Sequence, residues 1–327
     1  MRDKILEISD KVISGEDLSY EEKEFLFKVP DEFLLDLISA AYRIRLKFRG
    51  NKFSTCSIIS AKTGLCSEDC AFCAQSIRSK AKIQRHPLLS PNEILDAALD
   101  AEECGAKRFS IVTSGKGYVG REKEFERILE SIKLIISNTK LKVGVSLGAL
   151  GKEAIKKLAE AGVERIHHNI ETSRSYFKKI CTTHDFDSKL ETIRSIKEFG
   201  LEVCSGFIIG MGERVEDRIE MADILNSLNV DSVPINILIP IKGTPLESLQ
   251  PMKPKEALKS VAAFRFLMPD KELRLCGGRV QNLRDLQALS LYVVDGMLIG
   301  RKALTTSIRD PELDVQMIKD MGFEIVR

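Results

Sequence analysis

The period of the hydrophobic positions changes once along the chain. Over residues 1–50, Ile5, Leu6, Ile8 and Val12, then Phe33, Leu34, Leu37 and Ile38, fall on one face of a helix, and no strand-like alternation interrupts them. From Lys52 onward short strand-like runs alternate with longer amphipathic stretches, the signature of βα units around a parallel sheet. The predicted strands are Phe53–Ser60, Lys107–Thr113, Leu141–Leu147, Val163–Thr172, Leu201–Ile209, Val230–Ile237, Glu272–Cys276 and Val293–Ile299. The first intervening helix opens at Ser90-Pro91-Asn92-Glu93, where Ser90 can cap, Pro91 suits the first helical position and Glu93 can reach back to the cap amide. Eight such strands over about 275 residues predict a (β/α)8 TIM-type barrel across 51–327 behind an N-terminal helical extension, 1–50, with a doubly wound open sheet as the alternative. No G-x-G-x-x-G opens a first helix, and there is no Walker A loop, internal repeat or low-complexity linker to suggest a second domain.

Splitting each run into its two faces gives a consistent result. Ser54, Cys56 and Ser60 oppose Phe53 and Ile59, while Arg108 and Ser110 oppose Phe109 and Ile111. Lys142, Gly144 and Ser146 oppose Val143, Val145 and Leu147, and Arg165, His167, Asn169 and Glu171 oppose Ile166 and Ile170. Cys204 and Gly206, Ser232 and Asn236, and Arg274 and Cys276 continue the polar series. A parallel sheet under helices normally buries both faces, and ordinary barrel interiors are filled with Val, Ile and Leu. Two readings explain a polar face: an antiparallel sheet with one wet side, or a barrel whose lumen holds a polar ligand or cofactor. Long helical connections favour the barrel, where buried Arg, His, Glu and Asn need partners that a ligand can supply.

Composition narrows the function classes. Fifty Lys+Arg against 48 Asp+Glu leave a net charge of +2, no basis for nucleic acid or an acidic membrane as partner. No apolar run approaches a membrane span, and the start MRDKILEISDK lacks the apolar stretch of a signal peptide, so a cytoplasmic protein is expected. Eight cysteines in a reducing compartment do not suggest a disulfide framework.

Three of those cysteines, Cys66, Cys70 and Cys73, lie in the loop after the first strand, at the barrel end where active sites form. Closely spaced thiolates on a loop can bind a metal or an iron-sulfur cluster, but no second Cys pair or His pair follows at zinc-ribbon spacing. Three Cys ligands on a 4Fe-4S cube leave one iron open to a cofactor. Three structural cysteines are the plainer alternative, although Ser67, Glu68 and Asp69 make the segment polar.

C-x-x-x-C-x-x-C with an aromatic before the last Cys resembles the radical S-adenosylmethionine enzymes. From about residue 50 onward the chain is similar to the biotin synthase family within that superfamily. The resembling stretches include Ser60-Ala61-Lys62-Thr63-Gly64, His168-Asn169-Ile170-Glu171-Thr172-Ser173, Cys204-Ser205-Gly206, Ser232-Val233-Pro234-Ile235-Asn236, Lys242-Gly243-Thr244-Pro245-Leu246 and Leu304-Thr305-Thr306. The resemblance implies sulfur insertion into dethiobiotin, driven by reductive cleavage of S-adenosylmethionine at a 4Fe-4S cluster on Cys66, Cys70 and Cys73. It assigns Phe72, Thr113, Asn169, Glu171 and Ile208 to the cofactor, and His167, Asn169, Asn236, Thr305 and Thr306 to the substrate. Phe72 replaces the usual Tyr, Glu171 a common Asp, and His167 a usual Asn; on its own, a strand His is as readily a satisfied core residue. The family further implies a homodimer, flavodoxin or ferredoxin as reductant, and loading by iron-sulfur assembly machinery.

The chain departs from the family at its second cluster, a 2Fe-2S centre held by three Cys and one Arg. Cys204 and Arg274 match that site, but Ser110 and Gly144 stand at the other two positions, and neither replaces a thiolate. Cys104, at a helix end, reads as packing. Cys56, Cys181, Cys204 and Cys276 are therefore the expected ligands of a different auxiliary iron-sulfur cluster, with Arg274 as neighbour; four unrelated core residues are the alternative. Competing functions are a hydrogenase-maturase-like or methylornithine-synthase-like barrel enzyme and a non-catalytic iron-sulfur or zinc scaffold.

Overall fold

A computed structural model describes residues 1–301, 304 and 309–326. Its strands are β1 (Lys52–Lys62), β2 (Arg108–Thr113), β3 (Gly117–Tyr118), β4 (Lys142–Ser146), β5 (Ala149–Leu150) and β6 (Arg165–His167), followed by β7 (Glu202–Cys204), β8 (Phe207–Ile209), β9 (Ser232–Ile237), β10 (Glu272–Leu275), β11 (Gly296–Leu298) and β12 (Glu324–Val326). Parallel pairing runs β1–β2–β4–β6–β7–β9–β10–β11 and returns to β1, closing an eight-stranded barrel. The doubly wound alternative is thereby excluded. β8 extends the line of β7 beside β9, β12 pairs the start of β1, and β3 pairs β5 outside the barrel.

Outward residues Phe53, Phe109, Ile111, Val145, Ile166, Val203, Phe207, Val233 and Leu273 are sealed beneath the helices. Those helices include α4 (Pro91–Glu103), whose capping box forms as expected: Ser90 Oγ accepts from Glu93 N at 3.3 Å, and Glu93 Oε2 accepts from Ser90 N at 2.8 Å. The N-terminal extension is helical, with α1 (Arg2–Ser14), α2 (Tyr20–Lys28) and α3 (Leu34–Phe48). It is tied to the barrel by Arg45, fully buried on α3, which meets Asp295 Oδ1 at 3.3 Å; the other carboxylate oxygen takes Arg265 Nη2 at 2.5 Å.

Two expected strands are interrupted at the barrel mouth. The run Val163–Thr172 is a strand only over Arg165–His167, because the chain then crosses the mouth, with Glu171 in the left-handed region at φ 68°. Ile170 N and Glu171 N both donate to Gly206 O, at 3.0 and 3.2 Å. The run Leu201–Ile209 breaks at Ser205-Gly206, where a Cβ on Gly206 would lie 1.9 Å from Pro234 O. Only glycine allows so close an approach of the two backbones. Val293–Ile299 also shortens, to Gly296–Leu298.

Candidate active site

The polar faces do line one lumen. A cavity of about 370 Å³ is walled by Cys56, Arg108, Ser110, Ser146, Arg165, His167, Asn169, Glu171, Cys204, Asn236, Arg274 and Cys276, with Ile58, Val112, Ile208 and Leu298 between them. That volume lies in the range of small-molecule sites.

At the mouth, the loop after β1 closes on itself around its three cysteines. Cys66 N donates to Gln75 O at 3.0 Å, Ile77 N to Cys66 O at 2.8 Å and Cys73 N to Cys70 O at 3.0 Å. Gln75 Oε1 accepts from Gly64 N at 3.2 Å, and Ser76 Oγ donates to Glu68 O at 2.6 Å. Phe72 and Cys73 reach the cavity wall. Burial pushes the Cys73 thiol up to about 11, so an electrophilic metal is needed to hold it as thiolate at neutral pH. Three thiols on one preformed loop beside a polar cavity are a donor set suited to an iron-sulfur cube with an open iron.

Below the loop, Asn169 Oδ1 accepts from Gly206 N at 2.9 Å, and Asn169 Nδ2 donates to Glu171 Oε2 at 3.3 Å. The left-handed turn at Glu171 swings its carboxylate onto the lumen wall beside Asn169. Asn236 Oδ1 accepts from Gly277 N at 2.9 Å and its Nδ2 donates to Phe207 O at 3.2 Å, which leaves one lone pair and one N–H for a ligand. His167 Nδ1 lies 3.4 Å from Cys204 Sγ, and burial pushes its imidazole down to about 4, so the ring is neutral at physiological pH. Ile208 is on the wall as expected; Thr113 is not, because β2 gives Arg108, Ser110 and Val112 to the lumen and Thr113 to the opposite face. Thr305 and Thr306 lie outside the described residues.

The floor is charged. Arg165 reaches Glu202 Oε2 through Nε and Glu272 Oε2 through Nη1, both at 2.7 Å, and Arg274 Nη1 meets Glu272 Oε1 at 2.6 Å. Arg108 Nη2 lies 3.2 Å from Glu202, while its Nη1 is buried without a hydrogen-bond partner. Cys56, Cys204 and Cys276 converge on the same layer around Arg274. Ser110 pairs with Gly144 across β2 and β4, and a Cβ on Gly144 would lie 2.6 Å from Ser110 Oγ.

Cys181 is not brought to that floor. It follows α7 (Arg174–Ile180) and lies at the mouth, its Sγ 3.9 Å from Cys70 Sγ and 3.2 Å from Asp69 Oδ1. The fourth strand ends early and α7 returns the chain over the cluster loop, so the expected four-cysteine set divides into three and one. The clamp that holds it was not anticipated from sequence. Asp69 accepts from Thr182 N at 2.9 Å and Thr183 N at 3.2 Å, and His184 Nδ1 meets Glu68 Oε2 at 2.6 Å. Thr182-Thr183-His184 directly after Cys181, facing Glu68-Asp69, is the signal that could have suggested it.

Comparison with known proteins agrees with this geometry. Residues 61–225 match the Radical SAM superfamily and residues 234–324 the Biotin and Thiamin Synthesis associated domain. The chain is 47% identical over 321 residues to a biotin synthase of Clostridium acetobutylicum, covering 98% of each chain. It is 45% identical to that of Carboxydothermus hydrogenoformans (99% of this chain, all of the relative) and 46% identical to that of Methanococcus vannielii (98% and 96%). Among solved structures, a methylornithine synthase superposes with TM-score 0.84 at 21% identity, covering 98% of this chain and 97% of its own. A maturase of the [FeFe]-hydrogenase gives TM-score 0.82 at 19% identity, covering 99% and 76%. At such identities the two structures establish the shared fold.

Proposed function

The chain belongs to the biotin synthase family, and from that premise we propose how its residues divide the insertion of sulfur into dethiobiotin. The reading rests on one lumen that layers a thiol-bearing loop at its mouth, an Asn-Glu pair below it, and three cysteines around an arginine at its floor.

Cys66, Cys70 and Cys73 would hold a 4Fe-4S cluster at the mouth, which with S-adenosylmethionine bound would supply radical chemistry by one-electron cleavage of the sulfonium. Asn169, locked by the Gly206 amide, and Glu171 would hold the ribose hydroxyls, and Phe72 and Ile208, on the same wall, would border the adenine. The free N–H and lone pair of Asn236 complement a ureido group, and neutral His167 presents either a donor or an acceptor to it. Ile58, Val112 and Leu298 give the same cavity an apolar surface against which the hydrocarbon part of the substrate can pack.

The sulfur source in this reading is an auxiliary iron-sulfur cluster ligated by Cys56, Cys204 and Cys276 beside Arg274; Cys181 is withdrawn from the set. Flavodoxin or ferredoxin as electron donor, the assembly machinery and a homodimer follow from the family. No helix among the described residues is long and apolar enough to cross a membrane.

An anaerobic assay with S-adenosylmethionine and dethiobiotin tests the function: 5′-deoxyadenosine release must depend on dethiobiotin and accompany biotin. Iron and sulfide counts test the cluster. Reconstituted wild type should exceed the roughly four irons of a single cube, C56A, C204A and C276A should fall to that value, and C181A should not. A wild type holding only a cube removes the auxiliary cluster from the account and leaves the family assignment intact.

A further inference from the structure

We propose that, before its cluster is built, the chain binds one divalent cation, zinc or ferrous iron, between Cys70, Cys181 and His184. One ligand atom from each of these three lies within 4.8 Å of the others. In a tetrahedral site with metal–sulfur bonds of about 2.3 Å and metal–nitrogen bonds of about 2.0 Å, ligand atoms stand about 3.5–3.8 Å apart. Cys70 and Cys181 Sγ are 3.9 Å apart, and Cys181 Sγ is 3.8 Å from His184 Nε2 and 3.2 Å from Nδ1. Two thiolates of a cube sit on different irons and are held farther apart, so the Cys70–Cys181 spacing suits one shared ion.

The surroundings complete such a centre. With Nε2 on the metal, His184 Nδ1 keeps its 2.6 Å hydrogen bond to Glu68, the carboxylate–histidine arrangement that orients a metal ligand and makes it more basic. Asp69 Oδ1, 3.2 Å from Cys181 Sγ, stands beside the fourth position. Thr182 and Thr183 hold Asp69 through their backbone amides, so both halves of the site are joined without the ion. Two thiols lose their protons as the cation enters, and no oxidant or reductant is involved. Because Cys70 is also a ligand of the cube, the two occupants exclude each other: the ion ties the loop to residues 181–184 and leaves when Cys70 passes to the cluster.

Cobalt(II) titration of the cluster-free, full-length chain under reducing anaerobic conditions reads this site. One equivalent should give four-coordinate ligand-field bands with thiolate-to-cobalt charge transfer. C181S and H184Q should weaken binding at least about tenfold, E68Q by about 10- to 100-fold, and C66S and C73S should leave it unchanged. Thermal unfolding of each variant keeps a folding defect separate from a lost ligand. Zinc added before reconstitution should slow iron uptake by wild type but not by C181S. Cobalt bound equally by C181S and H184Q, or lost in C66S and C73S, overturns the proposal.

Discussion

Glu272 joins two guanidiniums at the floor of the lumen, and its replacement by Gln should cost more stability than any other single charge removal there. Its carboxylate takes Arg165 at 2.7 Å, Arg274 at 2.6 Å and Ser54 Oγ at 2.5 Å, and the three charged side chains are only 4–11% exposed. Burial pushes its acidity down in strength, but Arg274 and Arg165 outweigh burial and hold the carboxyl well below its ordinary value. Glu272→Gln keeps the shape and leaves two buried cations sharing one neutral amide. Removing one partner of a buried pair costs about 3–5 kcal/mol, and the lower end applies because Arg165 keeps Glu202. Glu202→Gln is the control: that carboxylate is 42% exposed, so its loss should cost about 1 kcal/mol or less. At roughly 2 °C per kcal/mol for a chain of this size, calorimetry of the cluster-free protein at pH 7 should show E272Q melting about 6 °C below wild type and E202Q within about 2 °C. A depressed carboxyl stabilises the fold above its unfolded value, here 4.5, and that contribution is lost as pH falls further. The gap between wild type and E272Q should therefore persist down to pH 5 and narrow below 4.5. An E272Q shift no larger than that of E202Q, or a gap that closes by pH 6, refutes the reasoning.

Two further substitutions probe the middle of the lumen. Gly206→Ala drives a Cβ to 1.9 Å from Pro234 O and moves the amide that holds Asn169; the strain should cost about 1–3 kcal/mol or more, and S-adenosylmethionine affinity, read by equilibrium dialysis, should fall at least about tenfold. Unchanged affinity would separate Asn169 from the cofactor site. His167 is a base whose folded pKa is pushed down by burial from 6.5 to about 4, so its contribution to stability is full above pH 6.5 and is lost as pH falls toward 4. That window corresponds to at most about 3 kcal/mol, less where lumen water solvates the ring. H167N should lose less melting temperature than wild type between pH 7 and 5, and parallel slopes would contradict the assignment.

The alternation of polar and apolar positions carried the barrel and its lumen because a strand has a strict period of two. Arg165, His167, Asn169 and Glu171 could be placed on one face although only Arg165–His167 is a strand. Their parity survives because the chain beyond His167 remains tied to Gly206 and Ile208 through backbone hydrogen bonds. Ile208 and Thr113 were both expected at the cofactor on resemblance alone; Ile208 lies on the lumen wall, whereas Thr113 is on the outer parity of β2. Cys181 was misplaced because Thr182-Thr183-His184 points to its location only when read together with Glu68-Asp69 on the distant cluster loop. Its position depends on where the fourth strand stops, at His167, beyond which Ile170 N and Glu171 N tie the chain to Gly206 O, a contact between distant segments.

The same geometry bears on the proposed auxiliary cluster and its new set of ligands. Ser110 and Gly144 face each other on adjacent strands, and a Cβ at Gly144 would already lie 2.6 Å from Ser110 Oγ, so this wall has no room for two thiolates in its present spacing. In the proposed reading thiols are supplied instead by β1, by β7 and by the residue after β10, at Cys56, Cys204 and Cys276, around Arg274. Arg274 is held by Glu272 and Ser54, and Glu272 by Arg165, so the cation beside the three cysteines is fixed through side chains rather than through a cluster. A floor braced in this way could exchange or lose a sulfur-bearing group without collapsing, as the proposed role of the auxiliary cluster as sulfur source demands.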